Sequence, residues 1–226
     1  MIKFNKACID SFGSFFETMS DYYSNNQMLS NELIKARADY FSLTGKLNES
    51  DTNFTNRINA FLLWFTFDWR CHETLRTPFE MYKNESNEAV NNADFIDQLE
   101  TYERHIHSLF ESIKLSNSHA VIRDLFTQAK FEITDPDFLY GSAKGTCFET
   151  RIFKVKDDYR FSNYFILHPS VVKKAIKKKC KQIHKKQESV KPFIITLHSY
   201  NTKWERYRNI DIRNIYHFDK SIPEAK

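Results

Sequence analysis

The run Asn59-Ala60-Phe61-Leu62-Leu63-Trp64-Phe65-Thr66-Phe67-Asp68-Trp69-Arg70 limits what this chain can fold into, because no other stretch is as apolar or as aromatic. Phe54, Ile58, Phe61, Leu62, Phe65 and Trp69 recur at helical spacing, and Leu63, Trp64 and Phe67 fill the remaining sides. A helix that is apolar nearly all round is expected to be buried nearly all round. Each aromatic takes roughly 150–250 Å² out of water, so this helix can anchor a core. The run is shorter than the roughly 18–20 residues a membrane span requires, and it ends in charge, so no transmembrane segment is expected.

The flanks read as further helices. Phe12, Phe15, Phe16, Met19, Tyr22 and Tyr23 make one stripe, within a helix expected over residues 3–24. Leu29, Leu33, Ala36, Tyr40 and Leu43 make a second, ending at Gly45 in the position of a left-handed cap. Thr77-Pro78-Phe79-Glu80 has the form of a capping box with proline at the first helical position, opening a helix to about Lys83. Asn84 to Asn92 reads as a loop, and a helix is expected from Ala93 with Phe95, Leu99, Tyr102, Ile106 and Leu109 on its apolar face.

From Phe110 onward alternation replaces the helical period. Five short strands are expected: around Ile113–Leu115, Val121–Leu125, Phe131–Ile133, Cys147–Val155 and Tyr159–Leu167, with loops at Asp135-Pro136-Asp137 and Gly141 to Gly145. The fold class is therefore α+β: a helical region at 1–108, a small five-stranded antiparallel barrel or curved sheet at 109–168, two C-terminal helices at 169–218, and a disordered tail from Asp219. The last helix, from Pro192, is read with Ile195, His198 or Tyr200, and Trp204 or Tyr207 inward. No low-complexity linker divides these parts, so they are expected to pack as one unit.

Lys35-Ala36-Arg37-Ala38-Asp39-Tyr40-Phe41, Leu43-Thr44-Gly45-Lys46, Phe61 to Asp68, Thr77-Pro78-Phe79-Glu80 and Phe165-Ile166-Leu167-His168-Pro169 in this order resemble an uncharacterised family of cytosolic proteins of predatory and soil proteobacteria. The resemblance covers roughly residues 30–215. It implies no activity, so no site residue carries over from it.

Composition narrows the functions. Only 4 glycines are present and no phosphate-binding glycine motif exists. The 4 cysteines, Cys8, Cys71, Cys147 and Cys180, are scattered without a CxxC, so neither a zinc ribbon nor a redox pair is expected. The N-terminus lacks the apolar core of a signal peptide, which points to the cytoplasm. On a helix His105 and His107 diverge, and Cys71-His72 has no nearby partners, so no metal site is expected. Cys147 with His168 is a conceivable nucleophile pair with nothing visible to activate it. Among acids, Asp68 beside Arg70 is the candidate pocket edge, Glu80 is committed to its cap, and Asp124 reads as solvated.

Binding is the stronger signal. Lys173, Lys174, Lys177, Lys178, Lys181 and Lys185, with Lys179 and Lys186, crowd one helix whose Val172, Ile176 and Ile183 face inward. The net charge of +4 permits an acidic partner. The leading reading is a non-enzymatic interaction or adaptor protein with a protein partner. The alternative is a nucleic-acid binder using this helix beside Phe148, Phe153, Tyr159, Phe161 and Tyr164 of the sheet; an enzyme of unnamed class is third. No cofactor is expected, and the oligomeric state is open.

Overall fold

A computed structural model of the chain describes residues 12–89, 99–116, 118–134, 142–155 and 158–218. The expected helical starts before Phe12 and near Ala93, the loop at Asp135-Pro136-Asp137 through Gly141, and the tail from Asp219 lie outside these residues. Helices α1 (Phe12–Asn25), α2 (Gln27–Thr44), α3 (Phe54–Phe67) and α4 (Pro78–Ala89) come first. Strands β1 (Ile106–Leu115), β2 (His119–Asp124), β3 (Lys130–Thr134), β4 (Cys147–Val155), β5 (Asp158–Phe161) and β6 (Ile166–His168) follow. A 3-10 turn at Ser170–Val172, α5 (Lys173–Lys186), α6 (Lys191–Arg206) and the single turn α7 (Ile212–Ile215) complete the order.

The apolar run lies in α3 as far as Phe67, with Trp69 and Arg70 beyond the helix end, and α3 is the pillar of the helical core. Phe61 packs against Tyr40 and Phe41, and Phe65 meets Tyr23 edge-on at 5.1 Å. It is not apolar all round: Asn56 accepts the Phe165 amide and Asn59 donates to the Asn163 carbonyl, which ties one side of α3 to the segment before β6.

The local signals act where expected. Gly45 ends α2 at φ 96° and ψ 141°, a positive φ that suits glycine but not the left-handed helical conformation of the expected cap, and a Cβ there would meet the Thr202 methyl at 3.0 Å. Thr77 N–H donates to Glu80 at 2.7 Å and Glu80 N–H donates to Thr77 at 3.2 Å, closing the capping box. Thr77→Ala should cost about 1 kcal/mol, read as a lower urea midpoint. The helix it opens runs on to Ala89, through residues 84–89 that read as loop.

Two corrections concern the sheet. Residues 105–109 are not helical: a helical stretch ends by 103 and β1 begins at Ile106. Residues 108–112 are all buried because β1 is covered on both faces, and that erases the alternation by which a half-buried strand is recognised. The sheet also has six strands, not five, and is mixed. β1 pairs antiparallel with β2 and β4, β2 with β3, and β4 with β5 and β6, while β3 and β5 meet in parallel at Ile133 and Tyr159. The β1–β4 pairing closes β1-β2-β3-β5-β4 into a ring, with β6 beside β5 on the far edge of β4. The run 159–167 splits because Thr150 holds the chain between β5 and β6, donating to the Tyr164 carbonyl at 2.7 Å with Ser162 Oγ at 3.1 Å.

β1 and β4 are thus shared walls. Their inner face meets Ile122, Ile133, Phe161 and Phe165 through Phe110, Phe148 and Ile152. Their outer face lies under helices: Leu109 and Cys147 join Ile176, Cys180, Ile183 and Leu197, and Phe153 joins the helical core. α6 is rolled from its expected orientation; His198 is buried, but with Phe193, Ile194 and Leu197 in place of Ile195, Tyr200 and Trp204. No described helix is long and apolar enough to cross a membrane.

Candidate functional site

Ladder register places His107 opposite Arg151 and Leu109 opposite Glu149 on the outer face of β1 and β4. The C-terminal end of α3 sets Asp68 above them as its C-cap residue. The result is a buried charged cluster. Arg151, 1% exposed, pairs with Asp68 and donates from Nη1 to His105 Nε2 at 2.6 Å. That contact makes His105 Nε2 an acceptor, so its proton sits on Nδ1 and is donated to the Tyr102 carbonyl at 2.9 Å. Glu149 Oε1 lies 3.1 Å from His107 Nε2 and accepts from the Tyr164 hydroxyl at 3.4 Å. Lys191 reaches Asp68 from the surface at 2.6 Å.

Burial decides which groups stay charged. It would raise Asp68, but Arg151 and Lys191 outweigh it and hold the carboxyl well below the usual range. Burial raises Glu149 to about 8, more than Arg151 and Tyr164 lower it. Burial, reinforced by Arg151, lowers His105 to about 3 and moves His107 down as well. Near pH 7 the cluster therefore holds Asp68 ionised between Arg151 and Lys191, beside a neutral Glu149 and two neutral imidazoles. Glu149 Oε2 and His107 Nδ1 make no hydrogen bond. Such a cluster can store a proton and clamp β4 to α3. Cavities of about 240, 390 and 440 Å³ lie along the 48–56 segment and on α2, and none is lined by Asp68, Glu149 or Arg151.

A second buried charge secures the α2–α3 connection. Arg57, wholly buried, donates to the Gly45 carbonyl, to the Lys46 carbonyl at 3.1 Å and to Asp51 at 2.7 Å. Arg206 of α6 takes the same carboxylate with a two-pronged grip at 2.7 and 3.0 Å.

The residues singled out in the sequence separate. Asp68 is inside the cluster, whereas Arg70 is exposed, 3.7 Å from Glu80 and donating to the Leu75 carbonyl at 2.8 Å. The lysines of α5 divide into two rows. Lys173 and Lys177 turn to Glu111 at 3.0 and 2.7 Å, where Arg123 also donates at 2.7 Å. Burial would raise Glu111, but these three cations bring it down to about 2. Lys174, Lys178, Lys181 and Lys185 are exposed, make no ion pair among the described residues, and follow 4-3-4 spacing, which is one straight row.

Cys147 and His168 are register partners across β4 and β6. Burial raises the thiol to about 12 and lowers the imidazole to about 3, opposite to the direction a thiolate–imidazolium pair needs. His105 and His107 stand on one strand side rather than diverging, but each is held by the cluster, and no group of His, Cys, Asp and Glu among the described residues is arranged to hold a metal. His72 is bound to Glu32 at 2.9 Å. Asp124, read as solvated, is buried and accepts the Phe126 and Thr127 amides at 2.7 and 3.0 Å, making the turn into β3. Phe148, Phe153, Phe161 and Tyr164 are buried, leaving Tyr159 half-exposed against Phe131.

Glu149, Arg151 and Glu111 were missed by the sequence reading. Their one signal is charge at alternate positions of strands, in Glu149-Thr150-Arg151 and Glu111, which ordinarily marks a solvated face. No curated protein and no solved structure matches the chain. A family model described as "Family of unknown function (DUF7986)" matches residues 19–214, from within α1 to within α7, and the chain belongs to that family.

Proposed function

We propose that the protein is a non-enzymatic interaction module of the cytoplasm, working as one unit, that takes an acidic protein partner on α5. The observation that carries this reading is the row Lys174, Lys178, Lys181 and Lys185, exposed on a helix whose other side is docked through Ile176, Cys180 and Ile183. Glu111 engages the inner lysines and fixes the helix, so the outer four present unpaired charge on a docked support. The buried cysteines Cys71, Cys147 and Cys180 are free thiols, in keeping with a reducing compartment.

The straightness of the row favours nucleic acid as the second reading: 11 residues of helix span about 16 Å, along which a phosphate backbone can lie. Two features weigh against it. α5 contains no arginine for bidentate phosphate or base contacts, and most ring aromatics point inward, where they cannot stack on bases.

Charge reversal at Lys174, Lys178 and Lys181 tests both. The triple glutamate variant should fold normally and lose a stoichiometric protein partner recovered by the native chain in cells. Loss instead of binding to a 30-base duplex, measured by anisotropy at low salt, selects the second reading. A native chain that binds neither a protein partner nor the duplex removes the proposal.

A further inference from the structure

We propose that the outer face of α2 is a docking groove for an acidic amphipathic helix of a partner protein. This rests on the interaction-module reading but uses a different surface, one held by apolar contact rather than by charge alone.

α2 is two-faced. Leu29, Ala36 and Tyr40 point into the core. On the other side Ile34, Ala38 and Phe41 fall at i, i+4 and i+7, a single stripe. Ile34 is 71% exposed and stands beside Ala38, Phe41 and Leu47 rather than alone. With Leu47 from the following segment, these residues line a cavity of about 440 Å³, the largest of the three described above. Its floor is rigid: Phe41 is 7% exposed, packs on Phe61 at 5.5 Å and Tyr40 at 5.3 Å, and lies beneath the Arg57 guanidinium at 5.4 Å. A preformed apolar floor with one protruding aliphatic wall is the form in which amphipathic helices are received.

The rim sets the sign of the partner. Arg37 and Lys46 border the groove, both are exposed, and neither side chain makes an ion pair among the described residues. The remaining lining residue, Ser42, is neutral, so no acid faces the groove to neutralise them. A helix with two or three apolar residues on one face and carboxylates on its flanks satisfies both requirements. A polyanion without an apolar face leaves Ile34 and the floor unused, and a basic helix meets like charge. From Ile34 to Phe41 the stripe rises about 10 Å, which matches two turns of a docked helix.

The experiment is selection from a phage-displayed library of random 16-residue peptides against the full-length chain, at 150 and 500 mM salt. Enriched peptides should carry net negative charge and apolar residues at i, i+3 or i+4, and i+7, and should survive the higher salt. Ile34→Asp, at a site exposed enough to leave folding untouched, should weaken a selected peptide at least tenfold by anisotropy. Arg37→Glu with Lys46→Glu should move the selection toward basic peptides. Reversal of Lys174, Lys178 and Lys181 should leave this binding intact; if it abolishes binding while Ile34→Asp does not, the peptides dock on α5 and the groove is not the site. No enrichment overturns the groove and leaves the lysine reading standing. A concentration-dependent dimer that Ile34→Asp dissolves assigns the groove to a second copy of the chain and overturns the partner helix.

Discussion

Asp68→Asn should destabilise the fold by about 3–5 kcal/mol, the cost of leaving a buried charge without its counter-ion. The Asp68 side chain is 6% exposed and Arg151 1%, so water cannot replace the lost carboxylate. Asparagine preserves the shape, which isolates the charge. Adding Arg151→Met should restore most of the loss, because an apolar side chain of similar length removes the stranded guanidinium, and the two changes should couple by about 2 kcal/mol or more. Arg70→Ala, at an exposed pair, should stay within about 0.5 kcal/mol of the native chain. Urea unfolding followed by tryptophan emission reads all three, since Trp64 and Trp69 sit at the same helix end. Equal effects at Asp68 and Arg70 would show that the clamp contributes nothing.

Stability should pass through a maximum near pH 6–7, with a loss on each side that has a different cause. Burial raises Glu149 to about 8 from its ordinary value of 4.5, so from pH 4.5 upward the unfolded chain gives up a proton that the folded chain keeps. Stability then falls by about 1.4 kcal/mol per pH unit from this group until the folded carboxyl also ionises, roughly 2 kcal/mol between pH 6.5 and 8. The histidines act in the opposite sense. His105, His168 and His198 are lowered to about 3, and His107 is lowered as well, so below 6.5 the unfolded chain takes up protons that the folded chain refuses. Four such groups give a slope approaching about 5 kcal/mol per pH unit, which Glu149 offsets by about 1.4 above pH 4.5, and the remaining slope of about 4 is enough to unfold a domain of ordinary stability near pH 5. Glu149→Gln should flatten the alkaline arm and steepen the acid arm between pH 6.5 and 4.5, where the native carboxyl offsets part of the histidine loss. Urea midpoints at half-unit intervals decide it; a variant whose stability still declines between pH 6.5 and 8 places the proton elsewhere.

The helices were legible wherever one face alone is buried. α2 ends at Gly45 and α4 opens at Thr77 because those signals are local and depend on nothing distant. The α+β class was readable too, and so were the limits of β4, Cys147–Val155, which is rich in strand-forming residues and ends at the Asp157-Asp158 turn signal although both its faces are covered. What failed depends on contacts remote in sequence. His105 and His107 read as helical because Ile106 and Leu109 continue the spacing of Leu99 and Tyr102, and only a sheet covered on both faces makes a strand of them. Tyr164 sits within a run that alternates like a strand, yet Thr150 pulls it out of the ladder. Glu149 and Arg151 carry the pattern of a solvated strand face until α3 and α6 are laid over them. Asp68 was picked out for its place at the end of an apolar run, but its partner lies 83 positions away rather than at Arg70.

That separation also bears on time. The Asp68–Arg151 contact spans 83 positions, His107–Glu149 spans 42, and Tyr40–His198 spans 158. Contacts so distant form only after long loops have closed, so the helices of the first 89 residues should be assembled before the ring clamps onto them. Interactions made after the rate-limiting step leave the folding rate nearly unchanged and act on the reverse step. The buried ion pair therefore governs how long a folded molecule lasts before it opens, and has little part in how fast it is made.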